Sequence, residues 1–279
     1  MTEQIPTIVR VHLAHAVVQA VADECGADVL HVKGPAVDPR VSDHQRSSTD
    51  ADVIVRPAHV DAMLGGLKAR GWGARTSFAS GSPFEHAASL WHDRLGWVDV
   101  HRYFPGIELD AADAFDVLWR DASLATIAHR DCHVPSVAAQ RLVLLLHAAR
   151  TERPADVAAA WSTDREATVA LARVLRAEVA LAAATGDLEH YAGRPTYQLW
   201  RHFSTRNPSR LQEWQARVKA APTPRAAGRL VLKALAVNTD HLALRLGRRP
   251  TATEVAAEYL HRVRVTAREL VALVRRRRT

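Results

Sequence analysis

Only two cysteines, Cys25 and Cys132, occur in 279 residues. Two thiols build neither a disulfide framework nor a cysteine-based zinc site, and both read as small buried apolar residues. Long apolar runs are missing as well. Nothing approaches the roughly 18 consecutive apolar residues of a membrane helix. The opening MTEQIPTIVRVHLAHAVVQA has no basic segment followed by an unbroken apolar one, so no secretory signal is evident. The expectation is a cytoplasmic protein with no membrane partner. The seven tryptophans are scattered, without the grouping of a stacking platform. Acidic residues are scarce at one end only. Residues 1–200 hold 19 basic and 25 acidic groups, a balance of −6, and residues 201–279 hold 18 and 5, a balance of +13, giving the formal +7. A basic C-terminal portion suits a polyanionic partner or substrate. A solvated arginine-rich helical surface is the equally open alternative, and the tail RVRVTARELVALVRRRRT has both readings.

Apolar residues make up 48% of the chain, enough for one large domain or two modest ones. Apolar positions three and four apart predict a helix over residues 7–24, ended by Gly26. DVLHVKG (28–34) reads as a short buried strand stopping at glycine, and the polar stretch after it as a loop with at most one helical turn. ADVIV (51–55) is a second strand, followed by a helix entered through Pro57 and ended near Gly71. Residues 84–104 read as a hairpin around DRLG. LDAADAFDVLWRDA predicts a helix, and ATIAHRDCHVPS a short β excursion before Ser136 caps the next helix. From there the chain turns to Ala/Leu/Val/Arg-rich helical patterns over 136–150, 167–185, 226–246 and 252–278. The fold class is therefore α+β: a mixed sheet with flanking helices over residues 1–134, followed by a helical, basic domain over 135–279.

The chemistry gathers around RSSTDADVIV (46–55). Residues two apart in a strand point to one face, so Asp50 and Asp52 project together, as do Asp99 and His101 further on. Like charges held side by side repel unless a cation lies between them, and hard oxygen ligands suit Mg²⁺. Asp50, Asp52 and Asp99 on neighbouring strands can hold two Mg²⁺ ions, orient a nucleoside triphosphate and lower the pKa of an attacking hydroxyl. Gly34 lets the backbone approach a phosphate, and Lys33 or Arg46 can pair with its oxygens. His101 is a substrate contact or a structural histidine, and His147, among leucines, reads as packing.

HVKGPAV, Arg46 four residues before Asp50, DADVIVRPAHVDAMLGGLKARGW, WVDVH and HVPSVAAQRLVLLLHAAR together resemble the uncharacterised nucleotidyltransferase family of the DNA polymerase β-like superfamily, over roughly residues 28–150. The resemblance implies a nucleotidyltransferase-type sheet and transfer of an NMP from an NTP to a hydroxyl. It implies metal ligands at Asp50, Asp52 and Asp99, and nucleotide contacts at Lys33, Gly34 and Arg46. RSSTDAD also fits the core shared by abortive-infection toxin nucleotidyltransferases, which implies RNA, tRNA among it, as one acceptor class and an antitoxin as a partner. Small-molecule acceptors stay open, because a fold does not fix the acceptor. One position departs from the pattern: Pro35 stands where the superfamily has a small residue, and proline has no N–H to offer a phosphate. The rival reading is an inactive module that keeps the fold and binds nucleic acid or protein through its basic C-terminal region.

Overall fold

The computed structural model describes residues 5–42, 48–82, 84–151 and 153–276. It begins with helix α1 (Thr7–Cys25), whose buried face recurs at Val11, Ala14, Val18, Val21 and Ala22. Gly26 ends it in the left-handed conformation, where a residue without Cβ carries no steric cost. Strand β1 (Val29–Val32) is wholly buried; a single 3₁₀ turn at Gly34–Ala36 follows it, and β2 (Asp50–Val55) comes next. After Pro57 the chain forms α2 (Val60–Ala69), then β3 (Gly73–Ala74), α3 (Phe78–Gly81) and the hairpin β4 (Ala87–His92) and β5 (Gly96–His101). Helix α4 (Ala111–Arg120), capped by Asp110, leads to a second hairpin, β6 (Ser123–Ile127) and β7 (Arg130–Val134). Ser136 accepts from the Ala139 N–H and starts α5 (Val137–Ala148), the cap expected from the sequence.

The five-stranded sheet is mixed, in the order β1-β2-β5-β4-β3, with β2 and β5 parallel and the remaining pairs antiparallel. Alternation along β2 divides its side chains between two apolar layers. Ala51, Val53 and Val55 pack against α1 and α2, with Val98 and Val100 of β5. Ile54 points the other way, with Leu30, Val32 and Phe104, against α4 and α5. Asp50 and Asp52 share that second face, which turns toward the helical part of the chain. The same apolar cluster runs on through Leu142–Leu146 of α5 to Leu175, Val179 and Trp200.

The helical part comprises α6 (Pro154–Ala160), α7 (Arg165–Val174), α8 (Glu178–Thr185), α9 (Tyr197–Ser204), α10 (Arg210–Ala220), α11 (Pro224–Leu235), α12 (Thr239–Leu246) and α13 (Ala252–Arg276). Two stretches that read as single helices are each two. The 167–185 pattern breaks at Arg176, with φ of 53°, which lets Leu175 and Ala177 on either side both bury completely. The 226–246 pattern breaks before Asn238, whose side chain caps α12. Both breaks lie inside continuous helix-forming composition, which conceals them. Helices α11 and α12 dock on the rim of the sheet region: Lys233 pairs with Glu85 at 2.6 Å, and the Asn238 amide donates to the Ser80 carbonyl at 2.7 Å. Among the described residues no helix is long and apolar enough to cross a membrane.

Candidate active site

Register brings the acids together. Asp52 of β2 lies beside Asp99 of β5 in the parallel pair, and Ile54 lies beside His101. Ligand atoms of Asp52, Asp99 and His101 all fall within 4.8 Å of one another, the one such metal-capable grouping among the described residues. Asp50, on the same face two residues earlier, is outside that grouping, yet it feels the charges of both other carboxylates. The three acids named from the sequence thus converge, and His101 joins them more closely than the sequence conveyed. Arg46 lies outside the described residues.

Asp52 is only 3% exposed, and two donors meet on its Oδ1: Lys33 Nζ at 2.7 Å and His101 Nε2 at 2.8 Å. Burial alone would raise this carboxyl's pKa, but the lysine charge and the histidine hydrogen bond together hold it well below the usual range. Its neighbours have weaker support, which burial and like charge outweigh. Burial, then the charges of Asp52 and Asp99, pushes Asp50 up to about 6, despite a hydrogen bond from Ser48. Asp99 is raised by burial and by Asp52. The site is therefore one firmly ionised carboxylate beside two that resist ionisation, a set that a divalent cation would relax.

Lys33 reaches Asp52 by a strained backbone. Alternation along β1 would send residue 33 to the face of Val29 and His31, away from Asp52. Instead Lys33 has φ of 61° and ψ of 179°, a region essentially restricted to glycine, and Nζ arrives on the opposite face. Such strain costs about 1–3 kcal/mol and persists only where the surrounding structure imposes it. Gly34 follows with φ of 51°, and a Cβ there would lie 3.0 Å from the Ser48 Cβ, so the turn closes tightly over the Ser48–Asp50 segment. Lys33→Gly is expected to be more stable than Lys33→Ala by about 1–3 kcal/mol in urea unfolding, because both lose the ammonium and only glycine releases the strain. Equal stabilities, or alanine ahead, would remove the strain from the account.

Histidines surround this centre. His31 Nε2 donates to the Gln19 carbonyl oxygen at 3.1 Å, so its Nδ1 accepts from His15 Nδ1 at 2.8 Å, and both imidazoles are neutral. His15 Nε2 is then left as a buried acceptor without a partner, near the position a Gly34 Cβ would take. His86 shares a 2.5 Å hydrogen bond with Ser82 Oγ, and its ring lies 5.0 Å from that of His101.

The helical part supplies the rest of the wall, and sequence reasoning missed it. The Arg150 guanidinium, just past α5, lies 5.4 Å over Phe84 and 5.8 Å over Phe104, and the Phe104 ring is 5.9 Å from His101. His147, read from its leucine-rich surroundings as packing, keeps Nδ1 sealed from solvent without a partner. Burial, then the charges of Lys33 and Arg150, lowers its pKa, which places it at the edge of this centre. Arg217 of α10 also lies over Phe84, at 4.8 Å, and is bound to Glu213 at 2.7 and 3.0 Å. No short sequence signal links α5 and α10 to β2, because the contact is made by tertiary packing.

No family model matches the sequence, and no curated protein does. Solved structures align with part of the fold at low similarity. The lincomycin-bound lincosamide antibiotic adenylyltransferase LnuA is 18% identical over 47% of this chain and 82% of its own, with a TM-score of 0.34. The antibiotic-resistance factor ANT(2'')-Ia is 18% identical over 67% of this chain and 96% of its own, with a TM-score of 0.41. An antigenic nucleotidyltransferase-like protein from Paracoccidioides brasiliensis is 13% identical over 64% of this chain and 93% of its own, with a TM-score of 0.40.

Proposed function

We propose that the protein is a divalent-cation-dependent nucleotidyltransferase that moves an NMP from an NTP to a hydroxyl. The observation that carries this reading is the facing pair of Asp52 and Asp99 on parallel strands, with Asp50 on the same face and a lysine ammonium resting where a metal cation would be attracted. The donor set fits Mg²⁺ or Mn²⁺: up to three carboxylates, with one imidazole in reach. Asp50 and Asp52 would hold two ions, and Asp99 the one nearer the acceptor. When bound, the ions supply Lewis acidity toward the α-phosphate and lower the pKa of the acceptor hydroxyl. His101 keeps Asp52 ionised and fixed. Lys33 would turn from Asp52 to phosphate oxygens, with Gly34 allowing close approach and Arg46 as a further cation. The acceptor oxygen bonds to the α-phosphorus as the bond from that phosphorus to the α–β bridging oxygen breaks. Pyrophosphate leaves with the electron pair, and the hydroxyl proton passes to a neighbouring carboxylate or water.

The acceptor reading is an RNA end, tRNA among the candidates. A cavity of about 1080 Å³ among α9, α10, α11 and α13 has Arg201, Arg210, Lys219 and Arg262 in its wall, which supports an anionic occupant. An adjoining cavity of about 420 Å³ shares Arg210 and Arg262 and reaches Ser82, the partner of His86. The test is incubation of the protein with each α-labelled NTP, Mg²⁺ or Mn²⁺, and total cellular RNA. Label is expected in RNA with the wild-type chain and not with Asp52→Asn. If no label moves, but RNA binds in a salt-sensitive way that Asp99→Ala leaves unchanged, the inactive binding module takes its place.

A further inference from the structure

Three carboxylates repel a polyphosphate, and the turn after Lys33 offers it few donors, because Pro35 has no N–H. A triphosphate at this centre therefore needs cations from elsewhere in the fold. Among the described residues near the acids, Arg217 is engaged by Glu213, Arg102 by the Glu85 backbone, and Lys33, which rests on Asp52 before it can turn to a phosphate, is one ammonium for three phosphate groups. Arg150 is the exception. Its side chain makes no hydrogen bond or ion pair with any described residue, its Nε is sealed from solvent, and two phenylalanine rings hold its guanidinium at the rim of the acid centre. A guanidinium desolvated without an anion is costly unless an anion arrives later. Burial lowers its pKa to about 10, with Asp52 the first counter-charge it feels, so it stays charged at neutral pH.

We propose that Arg150, with His147 one turn before it, forms the polyphosphate seat of the site, taking the β- and γ-phosphates of the nucleotide. This rests on the nucleotidyltransferase reading for its ligand. The planar guanidinium presents paired N–H donors that match two phosphate oxygens. The neutral His147 imidazole adds one N–H through a nitrogen that has no partner in the protein. Because α5 ends here, its backbone presents carbonyls and offers a phosphate nothing, so the two side chains carry the contact. The seat joins the sheet, which carries the acids, to the C-terminal end of α5, just past which the anion-binding cation lies. It supplies from α5 the donor that Pro35 withholds.

The experiment is calorimetric titration of the full chain with inorganic tripolyphosphate in the presence of Mg²⁺, with thermal melts of every variant. Arg150→Gln is expected to weaken binding about tenfold to a hundredfold, the size of one charge-assisted hydrogen bond. Arg150→Lys should restore part of the affinity, since an ammonium lacks the fork, and Arg120→Gln, exposed on α4, should change nothing. Arg150→Met should melt at or above the wild type, because it replaces an unpaired desolvated cation while filling the space over Phe84 and Phe104. A purely structural Arg150 makes the opposite pair of results: a lower melt for Arg150→Met and wild-type tripolyphosphate affinity for folded Arg150→Gln. That outcome, or no tripolyphosphate binding by the wild type, overturns the seat. If Arg150→Gln does not fold, Arg150→Lys decides, with unchanged affinity again refuting the proposal. Failure of the transferase reading looks different: no label moves from any NTP, while tripolyphosphate still binds in an Arg150-dependent way.

Discussion

Lowering the pH from 7 toward 4 is expected to unfold the protein. The cause is a set of histidines buried in neutral form. Burial, the largest influence, takes His15 from 6.5 to about 4, and it moves His31, His86 and His147 the same way. In the unfolded chain all four protonate near 6.5. Below that pH the unfolded state binds protons that the native state refuses, so stability present above 6.5 is lost as the pH falls toward the native values. His15 alone accounts for about 3 kcal/mol of that loss. Asp50 and Asp99 act in the opposite sense. Their native pKa values are raised, so both gain stability as the pH falls, for Asp50 between about pH 4 and 6 and by at most about 3 kcal/mol. Four histidines outweigh two carboxyls, and the net loss is large against the 5–15 kcal/mol typical of a folded domain. Urea midpoints followed by circular dichroism at pH 7, 6, 5 and 4 check this. A midpoint that holds steady or rises on acidification would mean that these imidazoles accept protons in the native state.

Local signals carried the elements that bring the acids together. Gly26, Pro57 and Ser136 punctuate the chain where α1 ends, where the path into α2 begins and where α5 starts, and each acts through its own backbone chemistry. The i, i+2 spacing put Asp50 with Asp52 and Asp99 with His101 on common faces, and the strands keep that alternation. What the spacing cannot convey is the pairing of β2 with β5, a parallel contact across forty residues that aligns Asp52 with Asp99 and lets His101 reach Asp52. Lys33 resembles any lysine at a strand end, because the reversal of its direction comes from a φ value that packing imposes. His147 sits in a leucine-rich helix and Arg150 just past its end, and the pattern locates the core face but leaves open where the helix end will dock. The breaks near Arg176 and Asn238 were hidden by helix-forming composition on both sides, although Asn238 is itself a capping residue.

Neutralising Asp50 and Asp52 in turn should remove transfer activity in both cases while moving stability in opposite directions. Asp50 is a carboxylate that the native fold disfavours when ionised, through burial and through Asp52 and Asp99. Asp50→Asn keeps the shape and deletes the repulsion, so at pH 7 it should stabilise the metal-free protein by up to about 3 kcal/mol. Asp52 is the carboxylate on which Lys33 and His101 converge. Asp52→Asn leaves a partly buried ammonium facing a neutral amide, and removing one partner of a buried pair costs about 3–5 kcal/mol. Each change also removes an anionic ligand from a centre whose bound cations would stabilise the charge developing on the α-phosphate. A loss of about a thousandfold in kcat, about 4 kcal/mol, is the scale expected for one such electrostatic contribution. Added Mg²⁺ sharpens the contrast. Cation binding offsets the repulsion in the wild type, so the stability advantage of Asp50→Asn should shrink or reverse as Mg²⁺ is titrated in, while the deficit of Asp52→Asn should grow. Paired urea melts with and without Mg²⁺, beside single-turnover transfer assays, read both effects. If the two variants shift stability in the same direction without metal, the division into one supported and one strained carboxylate is wrong.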